Sequence, residues 1–167
     1  HDPHNAAAVL RSCEAFGIHN VYFIFEQEQY YNPRRVGKAS SSSANKWLDF
    51  RIFRSTKECM RRLRRQGYEV VATALTDGAE SIFKSKLMSQ KIALLFGNEH
   101  RGLSEEALRG ADLRVMIPMR GMVQSLNLSV TAAILMYEVT RQRQRRVGRY
   151  LLPAGEHRRL VRAFMKK

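Results

Sequence analysis

Apolar residues recur along this chain in two rhythms, one of period 3.6 and one of short continuous runs, and the two take turns from one end to the other. Helical spacing covers residues 5–16, and Gly17 follows as a residue able to close a helix in the left-handed conformation. A strand is predicted over residues 21–25, a short one at 50–53, and a helix over 56–66 stopped by Gly67. Residues 70–75 read as a further buried strand, and 91–96 as a central strand running into Gly97. Ser104, with Glu105 and Glu106 behind it, predicts a helix start, because a hydroxyl caps free N–H groups and acids suit the positive end of the helix dipole. Residues 113–117 form the next predicted strand, broken by Pro118, and a long helix is expected over 128–142 after a loop holding Gly121. Strands alternating with helices imply an α/β domain whose mostly parallel sheet is covered by helices on both faces.

The chain of 167 residues suffices for one domain with its own core. Apolar residues make up 44% and charged residues 26%, and no apolar run approaches the length of a membrane span, so a cytoplasmic protein without a membrane partner is expected. Cys13 and Cys59 have neither paired spacing nor a neighbouring His cluster, which argues for two small buried side chains and against a disulfide or metal site. Charge changes the picture more. Twenty-nine Lys and Arg against 15 Asp and Glu give a net +14, which favours a polyanionic partner, nucleic acid first. Arg61, Arg62, Arg64 and Arg65 crowd one helix, as a solvated face or a contact surface, and ten Lys or Arg stand against Glu156 alone from Arg141 onward. Leu160, Val161 and Phe164 in that tail share one helix face, so residues 147–167 are expected to form a basic helical extension to a domain spanning 1–146. The Ser40 to Ser43 run, set between strand and helix signals, is expected to be a functional or capping loop more than a linker.

Three stretches gather small polar residues, glycines and charges where strands should end, the positions at which ligands collect in open α/β sheets. One runs from His1 through Asn5 and Ala8 to Arg11, one over residues 95–103, and one over 117–130. None contains the glycine signatures of dinucleotide or nucleoside-triphosphate sites, which lowers the dehydrogenase and NTPase readings.

Together they resemble the motifs of the SPOUT superfamily of methyltransferases, and within it the TrmH family of RNA ribose methylases. Asn-x-x-Ala-x-x-Arg at Asn5, Ala8 and Arg11 resembles the first motif. Phe-Gly-Asn-Glu-x-x-Gly-Leu over residues 96–103 resembles the second, and Ile-Pro-Met-x-Gly-x-x-x-Ser-Leu-Asn-x-Ser-Val over 117–130 the third. The resemblance implies a deep trefoil knot toward the C-terminus, a homodimer, and transfer of a methyl group from S-adenosylmethionine to a ribose 2′-hydroxyl. It assigns the cofactor pocket to Thr73, Gly97, Ile117, Met119 and Leu126, although Ile117 and Leu126 taken alone read as core. It makes Arg11 the catalytic residue, with Asn5, Glu99, Ser125 and Asn127 supporting the site. A guanidinium stays protonated, so the expected role of Arg11 is to clamp an RNA phosphate and orient the hydroxyl. Glu99 is expected to hold Arg11 or the motif loop, while Ser125 and Asn127 orient substrate or cap the following helix. That helix is open to either dimer contact or internal packing.

The Gly-Met-Val-Gln-Ser-Leu-Asn run, with Tyr137 to Arg143 after it, is most similar to the branch that methylates guanosine-18 of the tRNA D-loop. A branch acting on large-subunit rRNA shares most of these motifs and usually carries an N-terminal RNA-binding domain; the chain opens on His1 and not Met, so a preceding segment is expected. The wobble-ribose branch, whose third motif differs more, and a non-catalytic RNA-binding module of the same fold are the remaining alternatives.

Overall fold

The computed structural model describes residues 3–36, 44–145 and 151–166; the Ser40 to Ser43 loop and His1 lie outside them. Every element expected from the pattern is present, with ends displaced by a few residues. Helix α1 spans Pro3–Ala15, starting on a proline whose missing N–H costs nothing in a first helical turn. It closes at Gly17, where φ is +69°, and Ile18 N donates to Cys13 O at 2.7 Å to finish the cap. Strand β1 (Asn20–Ile24) and strand β2 (Asp49–Phe53) pair in parallel, and the short helix α2 (Ala44–Trp47) leads into β2. Helix α3 (Thr56–Arg65) is capped by Ser55, whose side chain accepts from Glu58 N, and ends at Gly67 with φ +73°. A second parallel sheet joins β3 (Glu69–Thr73), β4 (Glu80–Ser81), β5 (Ile92–Leu95) and β6 (Leu113–Met116) in the order β4-β6-β3-β5. Helices α4 (Glu105–Gly110), α5 (Leu128–Gln144) and α6 (Ala154–Phe164) complete the chain. Strand β4 has no counterpart in the pattern, since two residues are too few to show a period. The turn of 3-10 helix at Pro33–Arg35 likewise carries no periodic signal.

Alternation along the strands sorts side chains into two layers. Val71 and Val115 join Leu135 and Val139 of α5, while Leu94 and Phe96 pack there and also beside Leu10, Cys13, Ala132 and Met136, where α1 meets α5. The intervening residues Val70, Ala93 and Leu95 face Cys59, Met60 and Leu63 of α3. Strand β1 splits in the same way, Val21 and Phe23 to the α1 layer and Tyr22 and Ile24 to the α3 layer. Helices therefore cover both faces, as the pattern implies. The two cysteines belong to these layers: burial pushes the Cys13 thiol to about 12 and the Cys59 thiol to about 11, which suits packing and not reactivity.

Two long-range contacts hold the end of the molecule opposite the C-terminal ends of the strands. The segment before β5 is tied to the far end of α5: Leu87 N donates to Gln142 Oε1 at 2.8 Å, and Gln142 Nε2 donates to Ser85 O at 2.9 Å. Arg143 adds bonds to Ser89 O and Gln90 O. Helix α6 rests Phe164 on His19 and Trp47, at ring separations of 4.7 and 5.2 Å. Among the described residues no helix is long and apolar enough to cross a membrane, and no cluster of metal-ligating side chains occurs.

Candidate functional site

Strands β3, β5 and β6 run parallel as neighbours, so their C-terminal ends open on one side, and the second and third motif stretches leave from there. Beyond β5 the chain folds back tightly. Asn98 and Gly102 exchange both backbone hydrogen bonds, at 3.1 and 2.9 Å, and the Asn98 carboxamide oxygen accepts from His100 N and Arg101 N inside the turn. A side chain at Gly97 has no room: its Cβ would lie 2.2 Å from the carbonyl carbon of Gly102. The turn is anchored from outside by Glu28, which accepts from Asn98 Nδ2 at 2.6 Å and pairs with Arg101. Glu28 and Asn98 are not singled out by the sequence; Asn98 sits inside the motif, but Glu28 belongs to a polar loop whose composition gives no signal.

The three stretches meet in one chain of hydrogen bonds. Asn5 Nδ2 donates to Glu99 Oε1 at 2.7 Å, and Asn127 Nδ2 donates to Asn5 Oδ1 at 3.0 Å. Asn127 Oδ1 in turn accepts from Ser129 N at 2.8 Å and Ser129 Oγ at 2.7 Å, capping α5. Residues separated by 94 and 122 positions are thus fixed to one another by carboxamides. These bonds lie at the surface, where each contributes about 1 kcal/mol at most, so their consequence is alignment more than stability. Glu99 reaches α1 through Asn5, and Asn127 combines the capping role with a link between motifs.

Arg11 and Ser125 are exposed and stand outside this chain. Six residues along α1 place Arg11 about 9 Å along the axis from Asn5 and about 120° around it, on a different side of the helix. Thr73 ends β3 between the other two motif strands: it pairs with Val115 of β6, and its hydroxyl donates to Leu95 O of β5 at 3.3 Å. Ile117 packs on the core beside α5, and Met119 and Leu126 are half-buried on the loop that follows. Among the described residues no hydrogen bond engages the backbone of residues 118–126. Half-buried apolar side chains beside backbone donors and acceptors suit a pocket for a flat heteroaromatic ring. A groove of about 550 Å³ between the ends of α1 and α5, lined by Glu14, Phe16, Tyr137 and Arg141 among others, lies at the opposite end of α1 from Asn5.

Residues 1–137 match the model of the SpoU rRNA Methylase family. The chain belongs to that family. Among SpoU relatives it is 36% identical over 166 residues to the tRNA (guanosine(18)-2'-O)-methyltransferase of Escherichia coli K12, covering 96% of this chain and 70% of that protein. Its fold matches the crystal structure of the A. aeolicus TrmH/SpoU tRNA modifying enzyme with a TM-score of 0.81 and 26% identity, over 99% of this chain and 83% of that one. The AdoMet-bound rRNA methyltransferase from Sinorhizobium meliloti matches with a TM-score of 0.74 and 27% identity, over 84% of this chain and 52% of its own. In SpoU terms the contribution of this chain is a site in which all three motifs converge through Asn5, Glu99 and Asn127.

Proposed function

We propose that this chain transfers a methyl group from S-adenosylmethionine to the 2′-hydroxyl of guanosine-18 in tRNA. The observation that carries the reading is the Glu99–Asn5–Asn127 chain, which ties three motif stretches together beside the open ends of β3, β5 and β6. The 36% identity to a relative named for this reaction supports the substrate, and the net charge of +14 suits RNA.

S-adenosylmethionine supplies an electrophilic methyl carbon. Thr73, Gly97, Ile117, Met119 and Leu126 would hold it, the apolar residues as walls and the backbone of 118–126 as donors and acceptors for the adenine edge. The chain's own work is to bring a weak nucleophile into line, which is an entropic task met by fixed side chains. Asn5, held between Glu99 and Asn127, sets the position of α1 against both loops. Arg11 clamps a phosphate next to the target ribose, Ser125 orients the sugar, and the hydroxyl proton passes to that phosphate or to water. Because Arg11 points from another side of α1 than Asn5, it serves this reaction from an exposed position, across a subunit boundary in a homodimer. Val130 and Tyr137, 45% and 56% exposed and seven residues apart on one face of α5, support such a boundary.

A trefoil knot toward the C-terminus of a domain spanning 1–146 accompanies this reading. What supports it is the segment before β5, bonded through Ser85, Leu87, Ser89 and Gln90 to the far end of α5. The extension from 147 onward, whose described part is α6, contributes RNA contacts, and the setting is the cytoplasm. The 33% identity to a relative named as a 23S rRNA (guanosine-2'-O-)-methyltransferase gives large-subunit rRNA as the second reading. Incubation with methyl-labelled donor separates the two: tRNA transcripts take the label and an rRNA fragment does not, whereas the reverse would select the second. Arg11→Ala should bind donor normally, lose no more tRNA affinity than one phosphate contact supplies, and transfer no methyl; wild-type turnover by that variant would remove Arg11 from the site.

A further inference from the structure

The loop between β1 and α2 carries Tyr30, Arg34 and Arg35, and its arrangement is unlike that of a merely solvated loop. The ring of Tyr30 packs edge-on against the buried Phe25, with centroids 5.3 Å apart, yet stays 45% exposed. The Arg54 guanidinium, from the turn after β2, lies 4.7 Å from the centroid of that ring. Four residues further along, Arg34 lies over Phe50 at 5.4 Å. Two guanidinium groups thus rest over aromatic rings, Tyr30 and Phe50, that are joined to one another through Phe25 and Phe23, and Arg35 is exposed next to Arg34 in the chain. The two acids of the same loop are engaged by other groups. Glu26 accepts from the buried Thr56 at 2.6 Å, and Glu28 is tied to Asn98 and Arg101.

That last contact places the surface. Glu28, two residues before Tyr30, holds the turn that presents Glu99 to Asn5. A nucleic-acid strand leading into the proposed site would pass an aromatic ring, a planar cation and further arginines. Unpaired RNA bases stack on aromatic rings and on guanidinium planes, while arginines take the phosphates.

We propose that the Tyr30–Arg54 pair is a stacking platform for an unpaired base flanking the methylated nucleotide, with Arg34 and Arg35 contacting its backbone. The inference rests on the RNA methylase reading and adds to it where the substrate's neighbouring nucleotide is held. The test is fluorescence anisotropy with an end-labelled tRNA transcript, run beside methyl-transfer kinetics. Tyr30→Ala should weaken tRNA binding by about 5- to 150-fold, the range for loss of one base–aromatic stack. KM for tRNA should rise by the same factor while kcat holds, and Tyr30→Phe, which keeps the ring, should restore both. Arg54→Ala changes only an exposed residue and should weaken binding in the same direction even if Tyr30→Ala disturbs the fold. Wild-type tRNA affinity in both alanine variants would overturn the platform, as would a wild-type chain that binds no tRNA. A chain that binds tRNA through Tyr30 but transfers no methyl would keep the platform and remove the methylase reading instead.

Discussion

Asn127 does two things that one pair of substitutions can separate. Its oxygen caps α5 by accepting from Ser129 N and Oγ, and its nitrogen donates to Asn5 at 3.0 Å. Asn127→Ala removes both. Loss of a cap costs about 1 kcal/mol, and in a chain of this size that lowers Tm by roughly 2–4 °C. Asn127→Asp keeps an acceptor for Ser129 and sets a carboxylate at a helix N-terminus, so stability holds or rises slightly. It nevertheless breaks the link, because an acceptor now faces the Asn5 oxygen, and Asn5 cannot turn its amide nitrogen to the introduced carboxylate without withdrawing it from Glu99. If alignment of the motifs is what the link provides, both variants lose kcat by about 10- to 100-fold, the scale of a misplacement near 1 Å. Initial rates of methyl transfer to tRNA, measured beside thermal unfolding, read the two effects independently. An Asp variant with wild-type turnover and a slow Ala variant would mean that Asn127 matters only as a cap and that its bond to Asn5 does not align the motifs.

Gln142→Leu leaves the buried Leu87 N–H and the Ser85 carbonyl without their partner, and should cost about 2–3 kcal/mol in chemical denaturation; an unchanged midpoint would mean that the crossing segment is held by packing alone. Gly97→Ala forces the Asn98–Gly102 turn open and should destabilise the chain by about 1–3 kcal/mol, with S-adenosylmethionine affinity by calorimetry falling alongside. Normal affinity there would place the cofactor elsewhere. Glu138 accepts two bonds from Arg141, at 2.7 and 2.6 Å, and one from Gln142, and these hold its carboxyl below the ordinary 4.5. Its folded pKa is the lower one, so its contribution is complete above the unfolded value and lost as pH falls through the folded value. The Tm difference between the native chain and Glu138→Gln should therefore shrink as the pH is lowered below the ordinary carboxylate range; a constant difference would contradict this.

Strand and helix order was legible because each long element carries its own period and punctuation: Gly17 and Gly67 end helices, and Ser104 begins one. Strand β4 was not legible, since Glu80 and Ser81 gain their partners only from β6. The motif residues were recognisable as residues, but their joining was not. Nothing local to Asn5 announces that it will sit between Glu99 and Asn127, since that contact exists only once α1 has packed on α5 and the loops have closed. Glu28 shows the same limit from the other side, as a common surface residue whose meaning comes entirely from the Asn98 and Arg101 groups it meets. The position of Arg11, exposed and apart from the carboxamide chain, likewise follows from helix geometry that a motif match does not convey.

The most direct measurement uses a tRNA transcript that differs from the native one by a single atom, with 2′-deoxyguanosine in place of guanosine-18. Offered with methyl-labelled S-adenosylmethionine, the native transcript should accept one methyl group, recovered at that ribose by digestion and mass spectrometry, while the deoxy transcript binds equally well and accepts none. Equal labelling of both transcripts would show that the acceptor is some other atom, and the assignment of this site to that sugar hydroxyl would be wrong.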